Sequence, residues 1–331
     1  MTDSFPALVA RKDDEGQHSR YETLALDDLD EGDVTVRIEY STLNYKDGLA
    51  ITGAAPIVQK HPLILGIDYA GTVLDSSHSD FQPGKRVVLN GYGASEYLHG
   101  GYATRARVSG DLLVTLPDSL STRQAMAIGT AGYTAMLSVM ALQAGGPRPN
   151  DGEILVTGAA GGVGTVAISL LAGLGYEVVA STGRLGEAGF LKSLGAADLV
   201  DRASFSERGK PLQKERWAGV IDCVGSHTLA NVLAQTRYDG VVTACGLAQG
   251  ADLPATVMPF ILRNVQLRGV DSVQAPRDRR VEAWNRLARE LDMKRLEALS
   301  FDLPFAEVQN AAPKILSGAV RGRAIVDMGE A

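Results

Sequence analysis

From residue 34 to residue 40 apolar and polar positions alternate, with Val34, Val36, Ile38 and Tyr40 on one side of the chain. A period of two marks a strand with one face buried. Residues 70–74, 85–89 and 102–108 are strand-like in the same way. Gly48, Gly53, Pro56, Pro62, Gly66, Gly71, Pro83-Gly84 and Gly91 punctuate this region. Such residues mark tight turns between short strands. The first third of the chain therefore predicts a small, irregular, mainly β barrel.

After Pro117 the alternation stops. Ala125, Ile128, Ala131, Ala135, Leu137 and Val139, within residues 121–142, are spaced as in helices. From Glu153 onward strands and helices alternate: a strand over 154–157, a helix from about Val163, a strand over 177–180 and a helical stretch ending at Gly195. This is a βαβ unit. Further strands are predicted at 199–200, 219–224, 240–245 and 265–270, rich in Val and Ile as in a sheet covered on both faces. The pattern is that of a doubly wound parallel sheet. A charged helix over about 279–291 leads to a tail whose residues 323–327 predict a strand returning to the first domain. With 331 residues the chain exceeds what one core usually serves, so two domains with a cleft between them are expected.

Composition adds exclusions. Lys and Arg number 32 against 39 Asp and Glu, a formal charge of −7, and no basic block stands out. A nucleic-acid partner is not expected. The first residues lack the basic stretch and apolar core of a signal peptide, and no apolar run reads as long enough to span a bilayer. A cytoplasmic protein with no membrane association is the expectation. The two cysteines, Cys223 and Cys245, each lie in a β-branched run and read as buried reduced thiols.

The most informative motif follows the strand at 154–157. Gly158-Ala159-Ala160-Gly161-Gly162-Val163-Gly164 opens a helix. Glycines there permit a tight turn and a close approach of a pyrophosphate to the helix N-terminus. Ala159 departs from the bare glycine fingerprint, but the strand before and the helix and second strand after supply its context. The competing reading is a plain turn packing helix on sheet. In NAD-binding sheets the second strand usually ends in a carboxylate that binds the adenosine ribose. Here it ends Ala180-Ser181-Thr182-Gly183-Arg184, with Ser181 17 residues beyond Gly164. Arg184 suits a 2′-phosphate, which favours NADPH over NADH. The alternative is a polar loop with a solvated arginine.

A catalytic zinc needs three ligands and a structural zinc four thiolates. His18, His61, His78, His99 and His227 are scattered without ligand-like spacing, so no metal site is expected. Ser226, beside His227, reads as the cap of a helix. What remains is a polar cluster, Asn44-Tyr45-Lys46-Asp47, followed by Gly66-Ile67-Asp68-Tyr69-Ala70-Gly71. Asn44, Tyr45 and Asp47 are the candidates for orienting a carbonyl and relaying a proton. The blander reading is that Asn44 and Asp47 cap a short helix while Lys46 is solvated.

Asn44–Asp47, Gly66–Gly71, residues 129–135 and residues 157–164 together resemble the zinc-free quinone oxidoreductase branch of the medium-chain dehydrogenase/reductase superfamily. Residues 43–53, 158–164 and 257–265, with Gly269-Val-Asp-Ser272, are similar to the bacterial NADPH-dependent acrylyl-CoA reductases. Zinc-dependent relatives have Gly-His-Glu where this chain has Gly66-Ile67-Asp68. The resemblance implies an α/β protein: a GroES-like, mainly β catalytic domain over 1–122, completed by 293–331, and a Rossmann NADP-binding domain over 123–292. It implies a homodimer formed through the Rossmann domains and a small-molecule enoyl thioester as substrate, acrylyl-CoA being reduced to propionyl-CoA. Tyr45 would lie near the nicotinamide. Ala160, Gly161, Gly162 and Val163 would hold the pyrophosphate, and Ser181, Thr182, Gly183 and Arg184 the 2′-phosphate. Leu247, Ile261 and Ser272 would contact the nicotinamide half, and Arg321 or Arg323 the cofactor or substrate. A quinone or α,β-unsaturated carbonyl reductase uses the same hydride chemistry, and a non-catalytic cofactor-binding structural protein is a reading of another class.

Overall fold

The computed structural model describes residues 4–329. The chain divides into two compact units, one comprising Met1–Thr130, Ser272–Ala288 and Glu297–Ala331, the other Ala131–Asp271 and Arg289–Leu296.

The first unit is built on a mainly antiparallel seven-stranded sheet. Its path runs Ser300–Pro304, Arg323–Asp327, Val34–Thr42, Asp68–Ser76, Arg86–Asn90, Val114–Thr115, and Arg105–Val108 also pairs with Val34–Thr42. The alternation seen at 34–40 buries Val34, Val36 and Ile38 with Val73, Val87, Leu89 and Val326 in one core. Along Asp68–Ser76 the backbones approach so closely at Gly71 that a Cβ would lie 2.0 Å from the Arg37 carbonyl oxygen. Any side chain there would part the strands. The tail strand Arg323–Asp327 pairs antiparallel with Val34–Thr42, Ile325 opposite Thr42, and so returns to the first unit as the pattern predicts. A second, three-stranded sheet contains the long hairpin Ser4–Asp13 and Gly16–Ala25 together with Leu63–Ile64. The pattern had not revealed that hairpin, nor the strand Ser300–Pro304.

The second unit carries a six-stranded, wholly parallel sheet in the order Asp198–Asp201, Val178–Thr182, Ile154–Val156, Trp217–Asp222, Thr236–Ala244, Gln266–Gly269. The first strand in sequence lies centrally and the order reverses between it and Trp217–Asp222, which is the switch point of a doubly wound fold. Leu155, Val179, Val220 and Val242 from four adjacent strands share a core with Trp217 and Phe205.

Two expectations are corrected. Thr122–Gly145 is long and apolar enough by length and composition to cross a membrane, where no such run was read. It is broken at Gly129, and 83% of its most apolar window is buried inside the protein. Ser226 does not cap its helix: Gly225 is the N-cap, and Ser226 stands at φ 48 as the first helical residue.

The helix Arg277–Glu290 hides a cation that its charged sequence conceals. Arg280 is only 2% exposed. Its guanidinium donates to the carbonyl oxygens of Asn90 (2.5 Å), Val273 (2.6 Å) and Ala275 (2.9 Å) and lies 3.6 Å from the Tyr92 ring centroid. Carbonyl dipoles and a π face surround the guanidinium in place of water. Arg280→Met keeps the stem and strands those buried carbonyls, so urea unfolding should show a loss of about 2–4 kcal/mol; an unchanged midpoint would contradict the role given to this residue.

Candidate functional site

In the first unit the candidate residues converge on a buried polar network at the start of the helix Tyr45–Thr52. Asn44 is its N-cap and Asp47 stands at its third position, where Asp47 Oδ2 accepts from the Asn44 backbone N–H at 2.8 Å. This is half of a capping box, so the blander reading of these residues is correct as far as it goes. The same side chains reach further. Asn44 Nδ2 donates to Thr42 Oγ1 (2.7 Å), Asp47 Oδ2 (3.1 Å) and Asp68 Oδ2 (3.2 Å). Asp68 also accepts from Thr42 Oγ1 (2.7 Å) and from the Thr130 N–H (2.7 Å), and Asp47 Oδ1 accepts from the Ile67 N–H (2.9 Å). Asp47 and Asp68 are both fully buried.

Two devices compensate this buried negative charge. Inside the helix Thr122–Gly145, Gly129 takes φ 52 and ψ −165, which breaks the ladder and frees the Thr130 N–H to reach Asp68. A Cβ at Gly129 would meet Arg323 Nη2 at 2.4 Å, so both the backbone conformation and the space require glycine. The second device is Arg323 itself, 3% exposed. The pairing of Ile325 with Thr42 carries it to the level of Asn44. Its Nε donates to the Ala127 carbonyl (3.1 Å) and its Nη1 to Asn44 Oδ1 (3.4 Å). Burial pushes its guanidinium down from the ordinary arginine value, while the Asp68 and Asp47 charges hold it up. Burial first, then the Asp68 charge, raises the Asp47 carboxyl to about 7 against the pull of the N–H donors from Asn44 and Ile67. Tyr102 donates to the Thr42 carbonyl at 2.8 Å and closes the network.

Tyr45 begins the same helix but points the other way, 55% exposed. Lys46, read as solvated, is paired with Glu96 at 2.5 Å. Ser272 lies in the loop held by Arg280, which takes a hydrogen bond from its guanidinium on the Ser272 carbonyl at 3.2 Å. Arg321 is exposed. Sequence reasoning had noted Asp68 without giving it a role, had not separated Arg323 from Arg321, and had missed Thr42 and Thr130. The signal available was an aspartate set between Gly66-Ile67 and Tyr69-Ala70-Gly71, at the buried start of the strand Asp68–Ser76.

In the second unit the glycine loop leads from the strand Ile154–Val156 into the helix Gly162–Gly173, with Gly161 as its N-cap. Gly158 turns the chain at φ 58. At Gly164 a Cβ would lie 2.5 Å from the Gly158 carbonyl oxygen and 2.7 Å from Ala159 Cα, so helix and turn are packed at backbone contact. Ala159 is fully buried and Ala160 nearly so, whereas Gly161 is exposed and Gly162 and Val163 partly exposed at the helix N-terminus. Unpaired N–H groups and the positive end of the helix dipole make that end a receptor for an anion. The Ala159 N–H donates to the Ser181 carbonyl at 3.1 Å, which brings the loop beside the end of the strand Val178–Thr182. Ser181 and Thr182 are buried, Gly183 is exposed, and Arg184 is partly exposed with Nη1 3.5 Å from Glu187. Leu247 (66% exposed) follows the strand Thr236–Ala244, and Ile261 (72% exposed) lies on the helix Met258–Arg263.

The switch point is pinned by Asp222. Its Oδ1 accepts from Thr157 Oγ1 at 2.6 Å and its Oδ2 from the Gly225 N–H at 2.8 Å, while Thr157 Oγ1 accepts from the Cys223 N–H at 3.0 Å. Burial raises the Asp222 carboxyl against these donors. Among the described residues no group of three or more His, Cys, Asp and Glu is placed to hold a metal ion.

Comparison with known proteins gives consistent results. A model of the alcohol dehydrogenase GroES-like domain matches residues 30–118, and a zinc-binding dehydrogenase model matches residues 162–289. The chain is 51% identical over 327 residues to the acrylyl-CoA reductase AcuI of Ruegeria pomeroyi, covering 98% of this chain and 99% of that one. The solved structure of Escherichia coli K-12 YhdH with bound NADPH matches with a TM-score of 0.95 at 50% identity, over 98% of this chain and 100% of that one. The Bacillus subtilis protein yhfP with NAD bound matches with a TM-score of 0.95 at 42% identity, over 98% of this chain and 100% of that one.

The raised Asp47 carboxyl has a measurable sign. An exposed aspartate titrates near 3.9, so between about 4 and 7 the folded chain holds a proton that the unfolded chain has released. Stability contributed by this group therefore falls as pH rises through that window and is level above it. Burial lowers His61 and His99, which act with the opposite sign, so the readout is the difference between wild type and Asp47→Asn. The wild-type urea midpoint should fall relative to that of Asp47→Asn between about pH 5 and pH 7.5; parallel curves would mean that Asp47 stays charged throughout.

Proposed function

We propose, from the premise that the chain belongs to the medium-chain dehydrogenase/reductase family and is 51% identical to an acrylyl-CoA reductase, that it reduces the α,β double bond of acrylyl-CoA to propionyl-CoA with NADPH. The observation that carries this reading is the end-to-end likeness to an acrylyl-CoA reductase. The cofactor unit supports it separately: a glycine turn into a helix N-terminus, and a second strand ending in Ser181, Thr182 and Arg184 where a carboxylate would repel a 2′-phosphate.

NADPH, when bound, supplies the hydride that reduces the β-carbon of the thioester. The backbone of Ala160–Val163 holds its pyrophosphate at the helix N-terminus. Ser181, Thr182 and the Gly183 backbone line the 2′-phosphate site, and Arg184 pairs with the phosphate as a planar charged fork. By the family likeness, Leu247, Ile261 and Ser272 would contact the nicotinamide half, and Arg321 the cofactor or the substrate. Reduction at the β-carbon leaves negative charge on the thioester oxygen, where one aimed donor contributes about 3 kcal/mol to the transition state. Tyr45, exposed at the first turn of its helix, relays the proton that the α-carbon receives. Asn44 and Asp47 act through Tyr45: their hydrogen bonds are committed inside the network, and they fix the turn from which the phenol projects. Two copies pair through the cofactor-binding unit, whose sheet ends in the strand Gln266–Gly269 with a partner on one side only among the described residues.

Steady-state turnover of acrylyl-CoA by wild type and Arg184→Ala, with NADPH and with NADH, tests both halves. The variant should lose about tenfold or more in kcat/KM for NADPH, roughly 1.4 kcal/mol of phosphate pairing, and keep its NADH value. Equal losses with the two cofactors would remove the 2′-phosphate contact, and no turnover of acrylyl-CoA by wild type would remove the substrate.

A further inference from the structure

The sequence reads Cys223 and Cys245 as buried reduced thiols; the fold leaves both cysteines half-buried and sets them side by side. Cys223 follows the strand Trp217–Asp222 and Cys245 follows Thr236–Ala244. These strands are parallel with Asp222 opposite Ala244, and the Cys245 N–H donates to the Asp222 carbonyl at 2.9 Å. The two cysteines are thus the next pair along the ladder. Neighbouring strands stand about 4.8 Å apart, inside the roughly 4.4–6.8 Å between Cα atoms that a disulfide spans. The sulfurs are 3.8 Å from each other, and both residues are free cysteines and half-buried.

Their surroundings connect them to the cofactor loops. A Cβ on Gly158, the turn residue of the phosphate loop, would lie 3.3 Å from Cys223 Cβ, and one on Gly246 would lie 2.3 Å from the Cys223 carbonyl oxygen. Cys245 Sγ donates to the Asp222 carbonyl at 3.4 Å. Hydrogen bonds from Cys223 and Ser138 pull the Cys245 thiol down, the direction that favours a thiolate.

We propose that Cys223 and Cys245 form a peroxide-oxidisable dithiol whose disulfide weakens cofactor binding. The Cys245 sulfur attacks one oxygen of hydrogen peroxide, the O–O bond breaks, and a sulfenic acid and one water are formed. The Cys223 sulfur then attacks the sulfenic sulfur, the S–S bond forms, the S–O bond breaks, and a second water leaves with the thiol proton. Two thiols lose two electrons and two protons, and one peroxide becomes two waters. Closing the sulfurs from contact to bonding distance draws in Cys245 and shifts Gly246-Leu247, the turn assigned above to the nicotinamide half. That last consequence rests on the proposed function; the disulfide does not.

The test uses the full chain, reduced or treated with hydrogen peroxide, then alkylated and digested with trypsin. Cleavage after Arg216, Arg237 and Arg263 puts the cysteines on separate peptides, 217–237 and 238–263. Oxidation should yield these two peptides as one species that dithiothreitol separates, and should weaken NADPH affinity by about threefold or more. Cys245→Ser should give no linked species and keep its affinity after peroxide. Two alkylatable thiols surviving peroxide, or independent over-oxidation of each cysteine, would overturn the dithiol. A linked peptide with unchanged NADPH affinity would overturn its effect on the cofactor. If the reduced protein failed to bind NADPH at all, the proposed function would fall while the peptide readout still decided the disulfide.

Discussion

Two buried carboxylates, Asp47 and Asp68, share one small volume of the first unit, and much of that unit is arranged around their cost. Removing a charge from water costs several kcal/mol unless donors and opposite charge replace it. The replacement comes from four distant stretches of chain: Thr42 from a central strand, Ile67 from a turn, Thr130 from a broken helix and Arg323 from the C-terminal strand. Each contribution has its own structural condition. Thr130 can donate only because Gly129 leaves the helical conformation, and Arg323 reaches Asn44 only because the last strand pairs in its particular register. The network thereby ties the start of the helix Tyr45–Thr52 to the sheet through the hydrogen bonds of Asn44 and Asp47.

The second unit presents a different feature, a helix N-terminus suited to an anion. It uses the N-terminus of the helix Gly162–Gly173 and a turn so tight that Gly164 rests on the backbone of Gly158 and Ala159. Asp222 secures the other wall of the switch point by collecting Thr157 and the Gly225 N–H. Its carboxylate is committed to structure, and the strand Val178–Thr182 itself ends in Ser181 and Thr182 with no carboxylate of its own.

Much of this was legible beforehand, because binary patterns report on single elements. The alternation at 34–40, the Val- and Ile-rich strands and the glycine loop each carried their own local signal, and the strand at 323–327 was placed in its correct domain. What stayed hidden depends on register and tertiary approach. The hairpin strand Gly16–Ala25 is mostly polar and has no buried residue, so no period of two marks it. Arg280 and Arg323 look like any other arginines until the fold encloses them. Cys223 and Cys245 lie 22 residues apart in sequence and meet only through the pairing of Asp222 with Ala244. Family likeness added what periodicity did not carry: the acrylyl-CoA reductase relationship and the expected roles at the nicotinamide end.

The account stands or falls on a hydride from NADPH reaching an enoyl thioester. Its most direct test is NADPH oxidation at 340 nm by the purified protein, with acrylyl-CoA, crotonyl-CoA and a simple quinone offered side by side. The account predicts fastest turnover with acrylyl-CoA; turnover of the quinone with none of either thioester would contradict it and leave a quinone reductase on the same fold.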